Sequence, residues 1–372
     1  MVTLDDIAKE VGVSKVTVSN ALRGKANVSK EMTARITQVA RSMHYRIGAR
    51  SVAARNLKTQ NEQTQGPVSI IAPSNSDIWT AEFVQHCVNA CTQAQRQVFV
   101  QYVDAQAEFE LEQLANQVAD GMIIAHPTLP DATLQQLVLH RPTVCIDRLA
   151  GGRDADAVLT DSDRGMQNGI EYLVSSGKRK ILIIDQPDLQ EHQNQQNFPD
   201  LQKPQEPQTQ STEQHRQVNE QEQAQSMRFS ALLHERKLSA LHTLEELGIP
   251  TDASSVITVE QTRDAVAHAV SELGNAIMQY DALACLNDDT ALGALQALHR
   301  AQLRIPQDVA VLGFGGTQLG EYCYPELTSV NTHIEKVAQT AVRLLINRLT
   351  DEDNWMPTTI TVPSSINLKQ SA

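Results

Sequence analysis

The spacing of apolar residues changes along the chain, and each change predicts a different kind of structure. Leu4, Ile7, Ala8 and Val11 recur at i, i+3, i+4 and i+7, the stripe of a helix packed on one side. Thr3 stands where it can cap that helix, with Asp6 three residues on. Gly12 permits a tight turn, and Ser14 is placed to cap a second helix whose buried stripe is Val18, Ala21 and Leu22. Lys15, Val16, Ser19, Asn20 and Arg23 fall together on its opposite face. A third helix starts at Ser29 and buries Met32, Ile36, Val39, Ala40 and Met43. Two helices joined by a short turn, the second presenting polar and basic residues, form the helix-turn-helix that enters a DNA major groove.

The polar stretch KTQNEQTQGP (58–67) then reads as a linker. Beyond it, short apolar runs take over: 68–73, 98–103, 121–126, 143–147, 157–160, 180–185, 255–259, 282–287 and 309–314. Helical stretches lie between most of them, at 80–95, 108–119, 165–176, 264–278, 289–302 and 334–349. Continuous apolar strands alternating with helices predict parallel sheets covered on both faces. The fold class is α/β: an N-terminal helix-turn-helix domain and two Rossmann-like lobes, with ligand sites at the carboxyl ends of the strands. The lobe crossovers are expected near 160–164, 287–292 and 315–325. Residues 186–226 are Gln-rich and almost without aliphatic side chains, which predicts a disordered surface insertion. The expected domains are 1–46 for DNA binding, 47–66 for hinge and linker, and 67–372 for a core that binds an effector and dimerises.

Spacing alone fits a small helical bundle with a solvated polar face equally well, and charge separates the two readings. Residues 1–60 hold 11 Lys and Arg against 4 Asp and Glu, whereas the remainder holds 20 against 40. A basic segment on an acidic protein suits a piece that meets phosphates. The five cysteines, Cys87, Cys91, Cys145, Cys285 and Cys323, include no CxxC pair, which argues against a disulfide framework or structural zinc. Cys87 and Cys91 share a helix face beside His86, where buried small hydrophobes are the better reading than a metal site. No metal or cofactor is expected. The chain opens on MVTLDDIAKE without a charged-then-apolar leader, and no apolar run approaches the ~20 residues that span a bilayer. A cytoplasmic protein without membrane contact is expected.

Several motifs in order resemble the LacI/GalR family of bacterial transcription regulators. They are Thr3-Leu-Asp-Asp-Ile-Ala, Val11-Gly-Val-Ser-Lys-Val-Thr-Val-Ser, Val28-Ser29 and Tyr45, then Asp120-Gly121, Cys145-Ile-Asp147-Arg148 and Leu173 to Gly177. Asn287-Asp288 followed by Ala-Leu-Gly, Ile305-Pro-Gln-Asp-Val-Ala-Val-Leu-Gly-Phe314 and Pro325-Glu-Leu-Thr328 continue the match. The resemblance implies a homodimer whose recognition helices read a palindromic double-stranded operator, and a periplasmic-binding-protein-like core that takes a small effector between its lobes. By position Lys15, Val16 and Asn20 would face base edges, where Lys suits guanine, Asn suits adenine and Val suits a thymine methyl. Thr3, Ser14, Thr17, Ser19, Asn27, Ser29 and Tyr45 match positions that hold phosphates, which fix register.

The hinge departs from the family pattern. Tyr45 is followed by Arg46-Ile47-Gly48 instead of a residue and Pro-Asn, and Ala54-Arg55-Asn56-Leu57 lies three residues late. Arg55 and Leu57 are the expected minor-groove pair, with Ala54 in the Leu place as the in-register alternative. For the effector the resemblance implies Asp147 and Asn287 as acceptors of hydroxyls. It also implies Arg236 by its interval from Leu247-Gly-Ile-Pro250, with Arg228 as the alternative, and Trp79 as a stacking aromatic. Phe314 and Gly315 complete the expected set. Where sugar-binding members carry an Asp after Gly-Phe, this chain has Gly315-Gly316, a pattern similar to the gluconate-repressor subgroup. That suggests a gluconate-like sugar acid; a neutral sugar or nucleoside is the alternative.

The expected function is therefore a repressor of carbohydrate or sugar-acid catabolism genes, released from its operator by the effector. An enzyme is not expected, since GxSxG, P-loop and HExxH motifs are missing and no catalytic residue is assigned. A periplasmic sugar-binding protein shares the lobes but not the basic N-terminal segment.

Overall fold

The computed structural model describes residues 4–22, 28–29, 32, 35–36, 39, 66–74, 77–104, 119–126, 129–149, 155–185, 229–260, 262–350 and 356–372. Helix α1 (Leu4–Val11) and helix α2 (Lys15–Leu22) form the helix-turn-helix. Gly12 turns the chain with φ 77°, a left-handed conformation that glycine adopts at no steric cost. The Ala8 carbonyl accepts from both Gly12 N and Val13 N at 3.0 Å, closing α1. Ser14 Oγ accepts from Thr17 N at 3.0 Å, and Ser29 Oγ accepts from Met32 N at 3.2 Å, so both serines act as helix caps. Ile7, Ala8, Val11, Val18, Ala21 and Ile36 form the buried cluster, with Leu4, Met32 and Val39 against it. Thr3, Ala40, Met43 and the Leu22 side chain lie outside the described residues.

Lobe 1 contains β1 (Val68–Pro73), α3 (Ile78–Gln93), β2 (Val98–Val103), β3 (Gly121–Ile124), α4 (Asp131–His140), β4 (Thr143–Ile146) and β5 (Asp156–Thr160). Lobe 2 contains α5 (Ser162–Ser175), β6 (Ile181–Asp185), α6 (Phe229–Glu246), β7 (Val256–Thr258), α7 (Arg263–Glu272), β8 (Ala282–Cys285), α8 (Asp288–Arg300), β9 (Ala310–Gly315) and β10 (Thr328–Asn331). Helix α9 (Ile334–Thr350) and β11 (Thr359–Val362) return to lobe 1, and β12 (Ser365–Asn367) ends in lobe 2. The sheet orders are β11-β5-β4-β3-β1-β2 and β12-β10-β9-β8-β6-β7. Every pairing is parallel except β10 with β12.

Burial on both faces explains the continuous apolar runs. In lobe 1, Val68, Ile70 and Ala72 point toward α3 and α9. Ile71, Met122 and Ile124 point to the other face, against Leu134, Leu137 and Val138 of α4. In lobe 2, Ile181, Ile183 and Leu312 meet α5 and α6, while Leu182, Ile184 and Val311 meet α7 and α8.

The chain crosses between lobes at 161–162, 331–334 and 362–365. The first matches expectation. The crossovers expected near 287–292 and 315–325 fall inside lobe 2, because β8, β9 and β10 pair within one sheet; an apolar run does not say which sheet it joins. Strand β10 went unpredicted because its TSVN sequence is polar. It is buried nonetheless, with Thr328 N donating to Ser371 Oγ at 2.8 Å and Ser329 Oγ donating to Asp288 Oδ1 at 2.6 Å. The expected helix at 108–119 and the Gln-rich insertion lie largely or wholly outside the described residues.

Helix α3 joins the lobes through a polar seam. Ile78 N donates to Asp289 Oδ2 at 3.0 Å, and Arg263 holds the other oxygen of that carboxylate at 2.7 Å. Trp79 Nε1 donates to Thr332 Oγ1 at 2.8 Å, and Thr332 in turn donates to the Gly315 carbonyl at 2.9 Å. Gln318 N donates to both oxygens of Glu82, at 2.9 and 3.1 Å. Burial raises the Glu82 carboxyl above its ordinary value, helped by Asp288 and opposed by the Gln318 N–H.

A Cβ at Gly293 would overlap the Arg263 carbonyl, so G293A must push α7 from α8 and should cost about 1–3 kcal/mol in urea unfolding. For Glu82, the folded chain holds the carboxyl proton to higher pH than the unfolded chain does. Its contribution is thus complete below 4.5 and lost as pH rises through the raised value. E82Q keeps an acceptor for Gln318 and removes the titration, so thermal melts should show E82Q gaining on the wild type as pH rises from 4.5.

Candidate DNA-reading helix and effector site

On α2 the side chains opposite Val18 and Ala21 are accessible. Lys15 is exposed, Val16 is 66 % exposed, and Thr17 and Asn20 are half-buried. A valine so exposed adds little to packing, and a base methyl is a suitable partner for it. Ser14 Oγ and Thr17 Oγ1 lie 2.8 Å apart. Two hydroxyls carry two hydrogens, and one is used between them, so the pair keeps one donor for a phosphate oxygen. The Ser19 side chain and Thr3, Asn27, Tyr45, Arg55 and Leu57 lie outside the described residues.

In the core, the structure brings Asp147, Arg236, Asn287 and Phe314 together between the lobes. Asp147 follows β4 with φ 49°, a left-handed backbone that Asp tolerates better than most residues. Its Oδ1 accepts from Thr160 N at 2.5 Å and Thr160 Oγ1 at 2.9 Å. Burial raises its carboxyl, while the Thr160 donors and the field of Arg236 act the other way. Arg236, on α6, lays its guanidinium 3.9 Å over the Phe314 ring, a cation–π contact. Its Nη1 donates to the Leu286 carbonyl at 2.8 Å, and its Nη2 lies 3.5 Å from Ser162 Oγ. Burial lowers its pKa to about 10, opposed first by Asp147, so the group stays charged at neutral pH. Its buried Nε has no hydrogen-bond partner among the described residues.

Asn287 is buried and caps α8, its Oδ1 accepting from Thr290 N at 2.8 Å. That uses the oxygen expected for a ligand and leaves the amide nitrogen as the group to offer. Trp79 stands at the seam. Its ring stacks on Phe83 with centroids 5.4 Å apart and planes 4° from parallel, so one ring face is already covered. Gly315 and Gly316 have φ of 135° and 70°. A Cβ at Gly315 would lie 3.3 Å from Asp288 Oδ2 and 3.4 Å from Trp79 Cδ1. An aspartate there would be strained and would face a second buried carboxylate.

Sequence reasoning missed the part played by Asp288. It is buried, its Oδ2 accepts from Thr317 N at 2.7 Å and from Thr317 Oγ1 at 2.8 Å, and its Oδ1 accepts from Ser329. Three consecutive polar residues at a strand end, Asn287-Asp288-Asp289, were the available signal. Asn287 caps the helix, Asp288 anchors the loop, and Asp289 reaches the seam. The cysteines behave as small hydrophobes: Cys87 and Cys91 are fully buried, and burial pushes the Cys91 thiol to about 11. Among the described residues, no three His, Cys, Asp or Glu side chains gather as a metal would require, and no helix is long and apolar enough to cross a membrane.

Two family models match the chain. Bacterial regulatory proteins, lacI family, covers residues 3–46, and the periplasmic binding protein-like domain covers residues 170–372. The HTH-type transcriptional repressor PurR of Erwinia tasmaniensis is 24% identical over 378 residues, covering 100% of this chain and 97% of the relative. The fold is similar to that of the transcriptional regulator CelR in its cellobiose complex, with TM-score 0.62, 22% identity and 100% of both chains covered. It is also similar to that of the lac repressor dimer bound to operator, with TM-score 0.63, 18% identity, 100% of this chain and 98% of that one. The basic helix-turn-helix, the two lobes and these matches agree: the chain belongs to the lacI family of bacterial regulatory proteins, a DNA-binding transcriptional regulator with a small-molecule effector and not an enzyme.

Proposed function

We propose that this regulator is a cytoplasmic repressor of carbohydrate or sugar-acid catabolism genes. It binds a palindromic operator as a homodimer and is released by an anionic, gluconate-like sugar acid. The observation that carries the effector class is Arg236. The guanidinium is buried against the Phe314 ring, its Nε has no hydrogen-bond partner among the described residues, and the position after Phe314 is glycine rather than carboxylate. A ligand carboxylate would be drawn to that guanidinium, and the half-buried Asp147 and the Asn287 amide would take hydroxyls. A neutral sugar or a nucleoside is the second reading, the neutral sugar favoured by the cellobiose complex of CelR among the similar structures.

Lys15, Val16 and Asn20 are the base-reading set in this proposal, with Ser14, Thr17 and Ser29 among the phosphate contacts. Arg55 and Leu57 are the hinge pair. Self-association is supported by the lac repressor dimer of similar fold and by the exposed Leu319, Tyr322 and Tyr324 of lobe 2, aromatic area of the kind that interfaces use.

Gel-shift titration on a duplex selected by the chain tests the DNA side. N20A should weaken the selected duplex by about 1–3 kcal/mol and relax preference at one position of each half-site, with little change on random DNA. Calorimetry tests the effector side. Gluconate should bind and R236M should abolish that binding, whereas tight binding of a neutral sugar or a nucleoside with none of gluconate would overturn the sugar-acid reading.

A further inference from the structure

The first residues of the core are gripped at the edge of lobe 1 opposite the effector site. Gly66 N donates to Asp120 Oδ2 at 2.8 Å, and Arg96 Nη1 donates to the Gly66 carbonyl at 3.1 Å. The same Arg96 nitrogen lies 3.0 Å from Asp120 Oδ2, so the guanidinium and the carboxylate hold each other and the Gly66 peptide together. Pro67 follows suit, its carbonyl accepting from Asp120 N, and Val68 N donates to the Gln97 carbonyl, both at 2.8 Å. Arg96 precedes β2 and Asp120 precedes β3, the two neighbours of β1 in the sheet.

A generic strand start does not need this. Backbone bonds to the neighbouring segments begin at Pro67, and water can satisfy the peptide group before them. Here a charged pair is used instead, with the Arg96 side chain only 5% exposed. A side chain at residue 66 would also displace the Asp120 carboxylate, since a Cβ there would overlap it. What lies immediately before Gly66 is the segment that joins the core to the helix-turn-helix.

We infer that Arg96 and Asp120 are positioning residues for operator binding. They fix the point where the chain from the DNA-binding domain enters lobe 1, so that this point moves with the lobe. This rests on the regulator reading above. Freeing Gly66 and Pro67 would lengthen the tether by up to about 7 Å, at roughly 3.3–3.6 Å per residue. That is about two base-pair steps of a duplex, at roughly 3.4 Å each. A dimer with that slack would lose its discrimination of half-site spacing.

The test uses the full-length chain and a duplex that the wild type selects from a random pool, together with the same duplex lengthened by one or two base pairs between half-sites. The wild type should disfavour the lengthened duplexes by about tenfold or more. R96M/D120A removes both charges, so neither is left buried alone, and should reduce that discrimination to about threefold or less while calorimetric gluconate binding is unchanged. G66A, which drives a methyl into Asp120 without altering charge, should do the same by a separate route, and it carries the test if the double variant fails to fold. If a folded variant keeps the wild-type spacing preference, the pair is a structural tie only and the inference is overturned. A wild type that binds a duplex but ignores spacing also overturns it. A wild type that binds no duplex overturns the regulator reading itself.

Discussion

The buried carboxylate of Asp288 is the constraint on which the sensing half of the molecule depends. Burying a charge is costly unless it is hydrogen-bonded, and here the compensation comes from one loop and one strand. Thr317 gives its N–H and its hydroxyl, and Ser329 gives its hydroxyl. Asp288 also stands in the first turn of α8, where the helix dipole favours negative charge. Satisfying this carboxylate fixes the path of Gly315-Gly316-Thr317, whose backbone angles and close neighbours exclude side chains at the two glycines. The path of the loop after Phe314 is therefore dictated by a buried carboxylate on the neighbouring helix.

The adjoining Asp289 ties the same helix terminus to the other lobe through Ile78 N, so site and seam share one origin. Within each lobe the apolar core is extensive. Between the lobes, α3 contributes a handful of hydrogen bonds, each of the sort that adds about 0.5–1.5 kcal/mol net. Such a seam is weak beside either core. A ligand that contacts Asp147 in lobe 1 and Arg236 in lobe 2 can shift the balance between lobe arrangements by its differential affinity, whereas neither sheet need deform.

Much of this was legible in the chain. The 3.6-residue spacing of Leu4, Ile7, Ala8 and Val11, the turn at Gly12 and the cap at Ser14 specify local structure through local chemistry, and they match the fold. The apolar runs from Val68 to Phe314 mark nine strands because burial on both faces leaves no room for polar alternation. What they do not encode is sheet membership, since β5 and β6 read alike and belong to different lobes. Strand β10 was hidden because its polar side chains are satisfied by the Lys369 N–H and by Asp288, distant in sequence. The site was legible in part. Asp147, Arg236 and Asn287 converge, but the oxygen of Asn287 is committed to Thr290 and one ring face of Trp79 to Phe83, commitments that depend on packing. Asp288 was invisible as a loop anchor because its partners lie 29 and 41 residues away.

Strand β1 connects these levels. At its N-terminal edge the chain is held at Gly66 by Arg96 and Asp120; just past its C-terminal edge begins the helix whose Ile78, Trp79 and Glu82 form the seam. Six residues of extended chain span about 20 Å, and both neighbours of β1 run parallel to it in register. A strand so paired cannot slide without breaking two ladders at once. A change in how α3 meets lobe 2 must then appear at Gly66 as a rotation of lobe 1 as a body. Helix α3 packs on α9 over the same face of the sheet, which stiffens that body further. Polar contacts at the two edges and apolar packing between them divide the labour: the packing keeps lobe 1 rigid, and the edge contacts decide what that rigidity is coupled to.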